Sequence, residues 1–456
     1  MPRVKSNDIA IVTTNGATFS LYSATSQFIH FVFVLGIALG SLRLLGVTVF
    51  GLFHRYREAR RQGAWSWPGS VSVIIPAYNE EKVICKTIAS VLASSSTNID
   101  VVIVDDGSKD GTIARVREAF GADPRVRLIE KSNGGKSSAL NLAIFSSAAD
   151  VIVMIDADTV LERNAIPLLV RHFADPRVAA VAGSANVSNA HNLITRFQAL
   201  EYTTSQNLDR RAFEFCNGIT VVPGAVGAWR RQALVKIGGF SSDTLAEDAD
   251  TTITLERAGW KVIYEPNAVA RTEAPETVKA FMRQRFRWMF GMLQVAYKHR
   301  GALTTLRTAG VGMLALPNII LFQFLCTLVA PVMDLLLVWS IATSIRDIEM
   351  RPTEGIPPQL VTVGLYWLYF QTLEVMTSAV AMAIDSRREH WSALPLLLLQ
   401  RFCYRQLFYI VALRVASAAI RGRMVLWGKL LRTGRVAGPT SSVPPPEIEV
   451  PARATV

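Results

Sequence analysis

Two aspartates close an apolar run, Val151-Ile-Val-Met-Ile-Asp156-Ala-Asp158. Carboxylates at i and i+2 can reach one divalent cation, and a hard cation suits phosphate oxygens. The run reads as a buried strand of a parallel sheet with both acids at its carboxyl end, where open α/β sheets place ligands. A strand ending in a solvated acidic turn would look the same, so the motif needs partners. Val101-Val-Ile-Val-Asp105-Asp106-Gly107-Ser108 repeats the pattern, and a carboxylate there can accept a hydrogen bond from a base or ribose. Asn133-Gly134-Gly135-Lys136-Ser137 offers backbone N–H groups and a cation to a diphosphate. It is not a P-loop, because Glu130 stands where that motif needs glycine. In Ala246-Glu247-Asp248-Ala249-Asp250 the acids can cap a helix, or Asp248 can act as a general base. Gln284, Arg287 and Trp288 stand at i, i+3 and i+4 on one helix face, an amide, a guanidinium and an indole suited to pyrophosphate and a sugar ring. Arg283 and Arg285 fall on other faces, which equally suits a basic helix lying on a membrane.

These residues need a scaffold that alternates strands and helices. Strands are expected at 71–75, 101–104, 126–129 and 151–155, and further on near 178–182 and 219–222. A helix is expected from Asn79, as N-cap, to Ala93, with others near 110–120, 136–148, 190–210, 248–258 and 276–298. The βαβ order implies a parallel sheet. Pro76 ends pairing in the first strand and aims the following loop at the sheet's carboxyl edge.

A chain of 456 residues is too long for one simple core. Apolar residues make up 50%, charged residues 18%, and the net charge is +12; mean hydropathy is +0.28. The Lys and Arg flank apolar runs instead of forming one patch, which excludes nucleic acid as a partner and points to a membrane. Cys85, Cys216, Cys326 and Cys403 are far apart, so neither a disulfide framework nor a zinc site is expected.

Residues 1–27 form a polar segment without the features of a cleavable signal peptide. Residues 28–53, with Arg43 as their one Lys, Arg, Asp or Glu, are long enough to span a bilayer. His54-Arg-Tyr-Arg-Glu-Ala-Arg-Arg61 then carries four arginines in eight residues, which marks the cytoplasmic side and places 68–300 in the cytoplasm. Residues 310–345 hold one charge, Asp334. As a helix they would run about 54 Å, too long for one upright span. Pro317 and Pro331 can break them into an interfacial helix and a span. Residues 360–384 read as another span, carrying Glu374. Residues 392–435, with Pro395, Arg401, Arg405 and Arg414, read as an interfacial or transmembrane helix and a basic cytoplasmic segment. The proline-rich tail 438–456 reads as disordered, with no regulatory domain in it.

The order strand-Pro76-Ala-Tyr78-Asn79-Glu80, Asp-Asp-Gly-Ser, Gly-Gly-Lys, Asp-x-Asp, Glu-Asp, Gln-x-x-Arg-Trp resembles the processive, membrane-integrated family 2 glycosyltransferases, which include cellulose, chitin, hyaluronan and poly-N-acetylglucosamine synthases. The resemblance covers about 70–300, and the membrane layout extends it to about 435. Gly224-Ala-Val-Gly-Ala-Trp-Arg-Arg231, Gly238-Gly-Phe240 and Trp427-Gly-Lys-Leu-Leu-Arg432-Thr-Gly434 are most similar to the bacterial poly-β-1,6-N-acetylglucosamine synthases. The resemblance implies an α/β GT-A catalytic domain between transmembrane or interfacial helices of the inner membrane. It implies an inverting transferase that extends a β-linked polysaccharide from a UDP-sugar, with UDP-GlcNAc favoured. A transferase acting once on a lipid acceptor, or a non-catalytic polysaccharide channel, would be the alternatives. Pro76, Tyr78, Glu80, Asp106, Lys136, Asp156, Gln284 and Arg287 would bind the donor, with Asp106 at the uracil or ribose. Asp156 and Asp158 would hold Mg2+ or Mn2+. Asp248, with Glu247, would be catalytic, and Trp288 and Gly224 would meet the acceptor. Expected partners are the growing polysaccharide or lipid acceptor, membrane lipid and a small membrane accessory subunit. One departure is Ala246, where the family usually has threonine.

Overall fold

The computed structural model describes residues 31, 34–58, 67–95, 98–305, 308–350, 355–385, 391 and 393–422. The polar segment before residue 28, the Trp427–Gly434 segment and the tail after 438 lie outside them, as does most of the basic stretch 421–435.

The chain enters through helix α1 (Val34–Glu58). Eight strands and nine helices with their connections then build the middle domain: β1 (Val71–Ala77), α2 (Ile84–Leu92), β2 (Ile99–Asp105), α3 (Thr112–Phe120), β3 (Val126–Glu130), α4 (Lys136–Ser146), β4 (Val151–Met154), β5 (Thr159–Leu161), α5 (Ala165–Val170), β6 (Val178–Val187), α6 (Leu193–Glu201), α7 (Leu208–Glu214), β7 (Gly227–Arg230), α8 (Arg231–Ile237), α9 (Glu247–Arg257), β8 (Lys261–Thr272) and α10 (Val278–Lys298). A π-helical turn, Tyr202–Asn207, joins α6 to α7.

The sheet order is β3-β2-β1-β4-β7-β6-β8-β5. The first four strands are parallel, as the βαβ pattern predicts. Their β-branched residues pack alternately into two apolar clusters, one on each face, with Val73 and Ile75 on one side and Ile74 on the other. β5 follows β4 closely in sequence but pairs with β8 on the far edge, antiparallel. A flat sheet would put these two strands about 19 Å apart, four strand spacings. The linking turn cannot reach that far, because it is folded on itself by a bond from Thr159 N to Asp156 O. The sheet therefore curls, and the Asp156–Asp158 turn sits where its two ends approach.

Several expectations are corrected. The helix after β1 starts at Ile84 instead of Asn79. Asn79 adopts φ +55, and its side-chain oxygen accepts from Lys109 N at 2.6 Å, so it makes a turn and caps nothing. Pairing continues through Pro76 to Ala77. Residues 219–222 are not a strand; Ile219 N and Val222 N donate to Glu256 and Thr252 of α9. β5, β7 and β8 were not expected. In β8 the register jumps between Glu265 and Val269, and the Pro266-Asn267 insertion reads in sequence as a turn.

Helices flank the domain. Of the described helices, α1, α11 (Gly310–Met350) and α13 (Leu396–Ile420) are long and apolar enough to cross a membrane. α12 (Pro358–Ile384) is a 27-residue helix beside them. The expected break at Pro317 or Pro331 does not occur. α11 continues through both, with π-helical turns at Gly310–Ala315 and Asn318–Leu325. Such local widening lets a helix accommodate a missing N–H. Phe281, Met382, Leu397, Tyr404 and Val411 share one cluster between α10, α12 and α13. Each large apolar side chain so buried contributes roughly 1.5–3 kcal/mol. Arg43, a charge within the apolar helix α1, pairs with Asp209 of α7 at 2.8 Å, and its Nε donates to Asn318 of α11 at 2.7 Å.

Candidate active site

Register brings the strand ends together. Ala77 pairs with Asp105, and Ile74 with Met154, so the turns after β1, β2 and β4 emerge side by side. β7 runs antiparallel to β4 with Gly227 against Met154. That places Pro223–Ala225 next to Asp156. A Cβ on Gly224 would lie 2.7 Å from Lys136 Nζ and 3.3 Å from Asp156 Oδ1. A side chain there would push the Lys136 ammonium aside.

Asp106 shapes the next loop. Its two carboxylate oxygens accept from Gly134 N at 2.9 Å and Gly135 N at 2.8 Å, and Lys131 Nζ lies at 2.6 Å. Gly135, at φ +86, then turns the chain into α4, whose first residue is Lys136. The Lys136 ammonium meets Asp156 Oδ1 at 2.8 Å and Glu247 Oε1 at 3.2 Å. Burial alone would lower its pKa. The nearby Asp156, Glu247 and Asp248 carboxylates outweigh burial and raise it above the usual lysine value.

Asp248 lies in the first turn of α9, where the helix dipole favours an anion. Its pKa is nonetheless raised to about 6, first by burial and then by Glu247, with Lys136 opposing. Helix α10 holds this turn in place. Leu245 N donates to Gln294 Oε1 at 2.9 Å, and Lys298 and His299 both meet Asp250 at 2.7 Å. Gly291 lets the helices close up, since a Cβ there would sit 2.9 Å from Ala246 N.

Gln284, Arg287 and Trp288 project from α10 into the same space. Gln284 is 6% exposed, and its Oε1 is buried with no hydrogen-bond partner among the described residues. Trp288 is 37% exposed. Every residue expected at the site, from Pro76 to Trp288, lines one cavity of about 1070 Å³. The cavity continues past Trp288 to Arg43, Phe322, Ser378, Glu374 and Arg405, among the helices that flank the domain. Glu374 and Arg405 lie 3.5 Å apart within it.

Sequence reasoning missed the support behind Trp288. Arg285 does not lie on a separate face: at i and i+3 it is a neighbour of Trp288. Its guanidinium carbon lies 4.3 Å from the indole centroid. Glu201, Tyr202 and Tyr404 complete that support, and no short motif announces them. Arg210, 7% exposed, also lines the cavity and bonds to Asn207 Oδ1 at 3.2 Å.

Residues 68–291 match the family model "Glycosyltransferase like family 2". They form a family 2 glycosyltransferase domain. Its curled mixed sheet, with the acidic turns at the carboxyl edge, has the GT-A-like glycosyltransferase fold. The domain is similar to poly-beta-1,6-N-acetyl-D-glucosamine synthases, with 26% identity over 239 residues to that of Staphylococcus aureus and 27% over 223 residues to that of Staphylococcus epidermidis. These matches cover 52% and 48% of this chain, and 58% and 54% of those relatives. The chain thus spans little more than half the length of the curated relatives it matches. A solved structure, the mannosyltransferase PcManGT from Pyrobaculum calidifontis in complex with GDP-Man and Mn2+, matches 84% of this chain and 98% of its own at 19% identity and a TM-score of 0.48.

Proposed function

We propose that the chain is a membrane-embedded, inverting glycosyltransferase that extends a β-linked polysaccharide from UDP-GlcNAc. The observation that carries this reading is the single cavity joining the carboxylate cluster to the flanking helices. A transferase acting once on a soluble acceptor has no need of that continuation. The similarity to poly-N-acetylglucosamine synthases favours the sugar.

Pro76, Tyr78, Glu80 and Asp106 receive the nucleoside. Lys136, Gln284 and Arg287 face the diphosphate, and Arg287 can pair its oxygens in bidentate fashion. Trp288 stacks on the acceptor's terminal sugar, with Gly224 opening the space beside Asp156. Asp248 takes the proton from the acceptor hydroxyl. The oxygen attacks the anomeric carbon in line, that carbon's bond to the diphosphate breaks, and UDP leaves.

A divalent cation fits the residues present. Among the described residues no group of three or more His, Cys, Asp or Glu side chains could hold a metal alone. Asp156 and Asp158 would supply part of a shell, the arrangement of Mg2+ sites completed by phosphate and water. Three carboxylates around one ammonium also leave a negative excess for the ion to offset. When bound, Mg2+ or Mn2+ supplies positive charge to the departing diphosphate. The catalytic domain faces the cytoplasm, where the arginines Arg55 and Arg57 end α1.

The test is product analysis after membranes carrying the protein are given UDP-GlcNAc or UDP-Glc. Long N-acetylglucosamine polymer from UDP-GlcNAc, abolished by a chelator and restored by Mg2+ or Mn2+, is expected. One sugar on a lipid would establish the non-processive alternative instead.

A further inference from the structure

Behind Trp288 lies a buried charge that the transfer step does not use. Arg285 is 3% exposed, and its guanidinium carbon also lies 5.1 Å from the Phe281 ring centroid and 5.7 Å from that of Phe408. Arg285 Nη2 donates to Glu201 Oε2 at 2.9 Å. The Tyr404 hydroxyl donates to the same oxygen. Glu201 is the last residue of α6, and Tyr202, which opens the π turn, lies 6.5 Å from Trp288 between ring centroids. Tyr404 belongs to α13, so three segments far apart in sequence meet around the guanidinium that covers the indole.

We propose that Arg285, fixed by Glu201 and Tyr404, is a positioning residue that sets the plane of Trp288 for the acceptor's terminal sugar. The proposal rests on Trp288 being the acceptor platform. A planar guanidinium over the indole resists tilting, and a lysine ammonium would keep the charge without the flat contact or the fork. Sugar stacking depends on the ring's face, so a tilted indole loses acceptor contact while the donor side is untouched. Because Tyr404 comes from a helix that lines the continuation of the cavity, the platform is tied to the passage that the polymer enters.

The test uses the full chain in membranes, with UDP-GlcNAc as donor and a short N-acetylglucosamine oligomer as acceptor. Arg285→Lys is expected to raise the acceptor KM about tenfold, part of the roughly thirtyfold that a whole desolvated cation–π contact is worth because the charge is kept, and to leave the donor KM unchanged. Tyr404→Phe shifts it in the same direction by less. In a Trp288→Ala background neither substitution adds a further rise, because both act through the ring. Equal changes in donor and acceptor KM, or the same rise with Trp288 absent, would reduce the trio to packing and overturn the proposal. If Trp288→Ala raises the acceptor KM and Arg285→Lys does not, the positioning role alone fails. If Trp288→Ala leaves the acceptor KM unchanged, the platform reading fails and takes the positioning role with it.

Discussion

Burial first, and then the Glu247 carboxylate, set the pH below which Asp248 could not serve as the proposed base. Only the ionised carboxylate accepts a proton, so kcat/KM should fall as pH drops through about 6, the value that burial and Glu247 impose on Asp248. Glu247 raises that value, so Glu247→Gln should move the acid limb to lower pH. A complete loss of transfer at every pH would instead make Glu247 the base. Gly224→Ala carries a separate consequence. The added Cβ meets the far end of Lys136, which can swing away at little cost in stability, but its pairing with Asp156 is lost. Thermal unfolding should barely move, while kcat falls roughly 10²-fold, the scale of a small misplacement in a reacting site. Much of this cluster was legible in sequence, because Asp156, Lys136, Asp248 and Gln284 each sit in a short motif beside a strand or helix end. Arg285 was misread. Its partners Glu201 and Tyr404 come from other helices, and linear spacing holds no record of such contacts.

Helix α10 and the first turn of α9 act as one element. Alanine normally stabilises a helix by about 1 kcal/mol over glycine. At Gly291 the sign should reverse, because the new Cβ meets the Ala246 backbone, which cannot give way as a side-chain tip can. Gly291→Ala should lower Tm, because overpacking costs roughly 1–3 kcal/mol of stability, and reduce activity as Asp248 shifts; a higher Tm would show that the two helices are not in close register. Element types were readable where an apolar run or a cap marked them, as in β1, β2, β4 and α10. They failed where tertiary partners replaced local ones. Residues 219–222 look like a strand, but α9 side chains take their N–H groups. β8 hides behind a proline at a register jump.

For the whole molecule, the cavity links the carboxylate cluster to the flanking helices, and this link makes the case for the proposed polymer growth. Ser378 of α12 lines the continuation and is 5% exposed. Ser378→Trp should leave transfer to a short acceptor intact while shortening the polymer, as judged by product sizing; unchanged length would mean that the chain grows elsewhere. The apolar ends of the sequence announced flanking helices, and the single Arg43 in an apolar run announced a partner. Which residue answered it, Asp209, depended on how α7 packs. The central claim is that the carboxylates at the sheet's edge transfer sugar from UDP-GlcNAc with Asp248 as base. Incorporation of radiolabelled UDP-GlcNAc by membranes tests it most directly, comparing the unaltered protein with Asp248→Asn at matched expression. The account predicts polymer from the unaltered protein and a loss of about 10²–10⁴-fold in the variant. Equal incorporation by the two would contradict it.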